Sequence, residues 1–291
     1  MKTCLAVAVV VLAIGFPVGG RADSPIASWS SSETLASSLA ERIPTANFDE
    51  ARVPAYVLLN PLVAIDGKAV TRDTWPARRA EILELLREHM HGRAPVERPQ
   101  NESFRVIEED GREFDGEATR RLVEVSFDTP LGGRRSFRLQ LYVPNAATKP
   151  VPAVLLLQFQ GLTDSAAPLV VDRGYALAVF DRTPLAADDA ATYRDGVINA
   201  FSGDGELAPN TWRAIAAWAW GASRAMDYLE TDPDIDPRRV AVVGFSRMGK
   251  TAIWAGAVDE RFAAVISNES GAGGGALLES IFGGNGQHLC D

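Results

Sequence analysis

"VAVVGFSRMGKTAIWAGA" (residues 240–257) decides the fold. An apolar run stops at Gly244, a serine follows two residues later, and from Arg247 onward apolar residues return at helical spacing. A serine at such a junction fits a nucleophile elbow. The strained strand-to-helix turn lifts the hydroxyl above the sheet, and the next backbone N–H faces the developing oxyanion. The common elbow reads G-x-S-x-G, whereas here Gly249 stands three residues after Ser246. Lys250 is four residues on, which excludes the S-x-x-K of penicillin-binding enzymes. On spacing alone, Ser246 fits a small polar residue closing a buried strand equally well.

The surrounding segments place that turn in an α/β unit. "VPAVLLLQF" (151–159), "YALAVFD" (175–181) and "VAVVGF" (240–245) are nearly continuous apolar runs, as in a parallel sheet covered on both faces. "TWRAIAAWAWGASRAMDYLE" (211–230) reads as the crossover helix, with Asn210 or Thr211 as its cap and the acidic turn "TDPDIDPRRV" after it. "FAAVISN" (262–268) is a last strand ending at Glu269. Upstream, "FRVIEE" (104–109), "RRLVEVSF" (120–127) and "SFRLQLYV" (136–143) alternate as half-exposed antiparallel strands do. "TWPARRAEILELLREHMHGRAP" (74–95) predicts an amphipathic helix stopped by Gly92 and Pro95, with His89 near its C-terminus. The Ser- and Ala-rich stretch 23–50 reads as an irregular leader over the surface.

The first residues carry a different signal. Lys2, the apolar run "CLAVAVVVLAIGFPVG" and the small residues before "DSP" describe a secretory signal peptide over 1–22, cleaved after Ala22. The apolar stretch is shorter than the roughly 20 residues that span a bilayer. Cleavage removes Lys2 and Arg21, leaving 27 basic against 38 acidic residues and a net charge of −11 in place of −9. So acidic a protein is unsuited to nucleic acid or an anionic membrane surface. Cys290 is the only cysteine outside the leader, so no internal disulfide forms. Three histidines without a ligand cluster indicate no metal. The expected location is periplasmic or secreted, and residues 23–291 are expected to form one domain and a monomer.

"GFSRMGK", together with "WAWGASRAMDYLETDPDIDPRRVAVVG" and "DERFAAVISNESGAGG", resembles the glucuronoyl esterases of carbohydrate esterase family 15. Their signature is G-C-S-R-x-G-K, with Phe245 here in place of the cysteine. The similarity runs from about "NFDEARVPAY" to about Leu277 and includes "HGRAP", "LYVPN" and "LQFQG". It implies an α/β-hydrolase-like three-layer sandwich, mostly parallel, with antiparallel N-terminal strands. It implies a serine esterase, free of cofactor, that cleaves 4-O-methyl-glucuronoyl esters joining xylan to lignin. Ser246 would be the nucleophile, Arg247 the oxyanion residue through its N–H and guanidinium, and Lys250 a ligand of the glucuronate hydroxyls. Glu269, in "S-N-E-S-G-x-G-G", would be the triad acid. An acetyl-xylan esterase and a non-catalytic carbohydrate binder are the alternatives.

A serine hydrolase also needs a histidine as base, placed in this fold after the acid. His89 and His91 precede the parallel sheet, and His288 follows Glu269 by 19 residues without a convincing strand between. The resemblance implies a further hundred or so residues carrying that base and the final strands. The expectation is therefore a C-terminally truncated chain, with an exposed apolar edge at "VISN" and esterase activity near background.

Overall fold

In the computed structural model, residues 33–44, 55, 57–95, 97–159, 161–162 and 165–276 are described. The proposed leader, His288 and Cys290 lie outside them. Seven strands form one sheet: β1 (Ser103–Arg112), β2 (Ala118–Asp128), β3 (Arg134–Pro144), β4 (Val151–Leu157), β5 (Ala176–Phe180), β6 (Ile235–Phe245) and β7 (Ala264–Asn268). Their order is β1-β2-β3-β5-β4-β6-β7. The alternating segments make the antiparallel pairs β1/β2, β2/β3 and β3/β5, and the continuous apolar ones make the parallel set β5/β4/β6/β7. Each class of pattern therefore sits where its burial demands.

Alternate residues of the parallel strands feed two apolar layers. Ala153, Leu155, Leu157, Ala176, Ala178 and Phe180 face one cluster, which also holds side chains of α2 (Trp75–Leu86), α6 (Ala214–Leu229) and α7 (Arg247–Val258). Leu177 and Val179 face the other, beneath α4 (Ala167–Asp172). The result is a helix–sheet–helix sandwich. The short turn α3 (Glu113–Gly116) joins β1 to β2, and α5 (Val197–Ser202) precedes α6. Fourteen of the 16 residues of α6 are buried, so it is a core helix rather than a half-exposed one.

Several sequence expectations change. Glu33–Arg42, within the stretch read as an irregular leader, forms helix α1; its Glu, Leu, Ala and Arg residues favour helix more than its serines oppose it. The chain divides into two compact units, one holding α1 and the other every remaining element. The helix foreseen over 74–95 ends as α at Leu86 and widens into a π turn, Arg87–His91. Asn210 and Thr211 do not cap α6. The extended residue Arg213 does, without a side-chain bond. Asn210 instead donates to Glu88 at 2.8 Å, and its carbonyl accepts the Arg93 N–H at 2.9 Å. Gly92 (φ 80) makes that approach possible, because a Cβ there would lie 2.4 Å from the Thr211 carbonyl oxygen.

The acidic turn after α6 is a clamp rather than a loop of solvated charge. Arg121 of β2 bonds Asp232 at 3.0 Å and Asp234 at 2.7 Å, and Tyr228 Oη donates to Asp232 at 2.7 Å. At the same end of α6, the fully buried Asp227 receives Arg224, Arg261 and Arg98 at 2.5, 2.6 and 3.0 Å. Glu102 joins this group 3.4 Å from Arg224. Burial, then the Asp227 charge, pushes the Glu102 carboxyl up to about 7, with Arg224 opposing. A carboxyl that holds its proton more tightly when folded contributes most below its ordinary titration range near 4.5. That contribution is lost as pH rises through about 7. Glu102→Gln keeps the neutral form, so its Tm relative to the parent should rise between pH 5 and pH 8. Thermal melts at both pH values with an unchanged difference would refute this.

Candidate active site

The turn between β6 and α7 is an elbow built on two close approaches. Ser246 has φ 55 and ψ −124, a conformation that non-glycine residues rarely adopt. Its N–H donates to the Asn268 carbonyl at 2.8 Å, and its own carbonyl accepts the Lys250 N–H at 3.1 Å. A Cβ at Gly244 would lie 2.1 Å from the Met248 carbonyl oxygen, so only glycine lets the helix fold back against the strand. The second glycine has a different neighbour. A Cβ at Gly249 would meet the Asn268 carbonyl at 2.9 Å and Ser270 Cβ at 3.0 Å. The spacing G-x-S-x-x-G thus follows from where α7 crosses the end of β7.

That crossing also places Glu269. β6 and β7 are parallel with Phe245 opposite Asn268, so Ser246 and Glu269 leave adjacent strands at the same edge. Adjacent strands lie about 4.8 Å apart. Glu269 takes a left-handed φ of 47 and is exposed. Below it, Ser270 is buried and accepts the Gly275 N–H at 2.8 Å, which folds the glycine-rich segment back.

Arg247 opens α7, where a backbone N–H has no partner within the helix. Its guanidinium donates to Asp188 Oδ2 at 3.0 Å and lies 5.4 Å from the Phe159 ring centroid. Its Nε is buried and has no hydrogen-bond partner. Arg182 adjoins it, 3.6 Å from the same Asp188 oxygen and 4.8 Å from the Trp218 ring. Arg182 also donates to the Phe159 carbonyl at 2.9 Å. Burial is the main cause holding the Arg182 guanidinium below its ordinary range, with Asp188 opposing and Arg247 assisting. Sequence reasoning missed Phe159, Arg182 and Asp188. The signal available was an Asp-Arg pair directly after the buried strand β5, at the strand end where α/β sheets carry their sites.

Lys250 follows one turn into α7 and is half-buried. Its charge reaches His91, which stacks on Trp254 with ring centroids 4.3 Å apart. Burial first and Lys250 second push the His91 imidazole down to about 4, so at neutral pH it is uncharged. Trp254 lies two turns beyond Ser246, so His91 buttresses α7. Among the described residues no histidine is hydrogen-bonded to Ser246 or Glu269, and none forms a metal-holding cluster with cysteine or carboxylates.

A family model described as fungal glucuronyl esterase matches residues 129–284, which span both β-strand ends of this site. The chain belongs to the glucuronoyl esterases of carbohydrate esterase family 15. It is 35% identical over 286 residues to the carbohydrate esterase MZ0003 from an unknown prokaryotic organism, covering 81% of this chain and 64% of that protein. It is 30% identical to a 4-O-methyl-glucuronoyl methylesterase of Schizophyllum commune, covering 75% of this chain and 51% of the relative. The chain thus spans about half to two thirds of these relatives' length. A solved glucuronoyl esterase from Solibacter usitatus superposes with a TM-score of 0.73 at 37% identity, over 79% of this chain and 68% of the other.

Among glucuronoyl esterases the strained serine is a testable feature of this chain. Replacing Ser246 by alanine keeps the unfavourable φ, whereas glycine adopts it freely. The relief is of order 1–3 kcal/mol, less the chain entropy that glycine loses on folding. Ser246→Gly should therefore exceed Ser246→Ala in unfolding free energy by about 1 kcal/mol. Urea titrations giving equal values, or a less stable glycine variant, would show that the elbow stores no strain.

Proposed function

We propose that the whole protein is a serine carboxylic ester hydrolase acting on 4-O-methyl-glucuronoyl esters that join xylan to lignin alcohols. The observation that carries this reading is the elbow: Ser246 in a strained turn, with an unpartnered helical N–H and a guanidinium on the residue after it. Ester cleavage puts negative charge on the carbonyl oxygen, and donors fixed before the reaction stabilise it at little reorganisation cost. Ser246 Oγ would attack the C6 carbonyl, and the oxyanion would fall to Arg247. Collapse releases the alcohol and leaves an acyl-enzyme, from which water frees the glucuronate. Glu269 would orient and stabilise the imidazole that takes the serine proton. His89 and His91, held in the π turn after α2, are not candidates for that role. Lys250 would bind ring hydroxyls of the uronate.

The cationic pair Arg247 and Lys250 favours a uronate over an acetyl group, which needs no cation beyond the oxyanion donors. A carbohydrate binder without catalysis would have no use for a strained serine. The leader expected over 1–22 supports action outside the cytoplasm, in the periplasm or the medium. No helix among the described residues is long and apolar enough to cross a membrane.

Turnover of benzyl glucuronate against acetylated xylan by the whole protein tests the reading. Glucuronate ester hydrolysis should be the faster, and the reverse order would refute it. Arg247→Ala should lower kcat by about 10²–10³, the effect of one lost oxyanion donor. Lys250→Ala should act mainly on KM, since ring hydroxyls do not change charge in the transition state. Sugar binding that survives Ser246→Ala in a parent without ester turnover would instead establish the binder.

A further inference from the structure

We propose that Asp188 is a positioning residue: it anchors Arg247 in the orientation in which Arg247 serves the oxyanion, and Arg182 holds Asp188 there. This rests on the esterase reading of Ser246. An arginine at the first position of a helix is opposed by the helix dipole and has several rotamers open to it. Here three contacts remove that freedom. Asp188 takes one terminal nitrogen at 3.0 Å, the Phe159 ring centroid lies 5.4 Å from the guanidinium, and Arg182 shares the same carboxylate oxygen at 3.6 Å.

Arg182 is itself fixed. Trp218 of the core helix α6 lies 4.8 Å from its guanidinium, and its second tie, to the Phe159 carbonyl, sets the loop whose ring supports Arg247. Trp218 in turn donates its indole N–H to the Ala186 carbonyl at 2.8 Å, two residues before Asp188. The segment after β5 is thereby tied to the core at Arg182 and at Ala186, both shortly before Asp188. The arrangement satisfies one end of Arg247 and leaves Nε without an acceptor. A guanidinium presents its donors in a rigid fork, so fixing one end fixes the rest.

A carboxylate beside a cation could be purely electrostatic, and the two roles differ in sign. If Asp188 only neutralises Arg247, its removal should strengthen the pull on an anionic oxygen. If it positions Arg247, removal should weaken that pull. The test uses the whole protein with Asp188→Asn and Asp188→Ala, alone and combined with Arg247→Ala. With benzyl glucuronate, the single variants should lower kcat by about tenfold, a fraction of what losing the donor itself would cost. KM should stay within about twofold, and the Asp188 effect should vanish once Arg247 is alanine. An equal loss in the Arg247→Ala background, or a change confined to KM, would overturn the proposal.

If the whole protein shows no ester turnover, the esterase reading fails, and glucuronate binding by calorimetry decides the positioning role. Binding weakened about fivefold by Asp188→Asn, with no further loss in the double variant, would support it. Unchanged or tighter binding by Asp188→Asn would overturn it, as would no binding by the parent. Arg182→Lys should give a partial loss of the same kind, because lysine keeps the charge but not the stacked fork.

Discussion

Everything at the proposed catalytic edge depends on how closely α7 lies against the ends of β6 and β7. Gly244 brings Met248 over β6, Gly249 meets the Asn268 carbonyl, and a Cβ at Gly256 would lie 2.2 Å from a Val265 methyl. No larger residue fits at any of the three without moving backbone or packed side chains. With the helix seated so deeply, the chain between Gly244 and Arg247 has no room for an ordinary turn, and Ser246 is driven into its strained conformation. The hydrogen bond from Ser246 N–H to Asn268 closes the arrangement and couples Ser246 to β7, the strand that ends at Glu269. Position, strain and the proximity of Glu269 are thus one packing event.

The same economy governs the charged side chains. The chain is acidic overall, yet its arginines are concentrated where carboxylates are buried or shared. Asp227 alone receives three guanidiniums, and Arg121 reaches across from β2 to Asp232 and Asp234. Buried ion pairs seldom stabilise more than apolar packing would, but a half-removed pair is costly. Their effect here is to fix register: β2 to the turn after α6, and the end of α6 to the start of β1 and the turn before β7. A sheet whose strands carry nearly uniform apolar runs has weak register information of its own.

Legibility in the sequence followed the range of the interactions. The strands could be read because alternation and continuous apolar runs are local consequences of one-sided and two-sided burial. Ser246 and Glu269 could be placed because each sits at the end of such a run. Elements set by distant partners were not legible. Asn210 looks like a helix cap, but Glu88 takes its side chain and Arg93 its carbonyl, and the cap falls to Arg213. Nothing near His91 in the sequence marks its partner, yet from the π turn it stacks on Trp254. Nothing in "TPLAADDA" marks Asp188 as the partner of a residue 59 positions later.

The position of Arg247 raises a physical difficulty that this last contact resolves. A cation in the first turn of a helix opposes the dipole by about 0.3–1 kcal/mol, and Lys250 adds a second cation one turn on. Oxyanion chemistry nonetheless requires positive potential at the helix start, where the free N–H groups already lie. Adding a mobile arginine would strengthen that potential on average while blurring its direction, and direction is what separates transition-state from ground-state binding. A carboxylate on a loop tied to the core reduces the average charge and sharpens its placement. In the oxyanion role proposed for Arg247, the chain gives up some field strength there and gains a fixed geometry, which is the more valuable of the two when the charge to be stabilised exists only in the transition state.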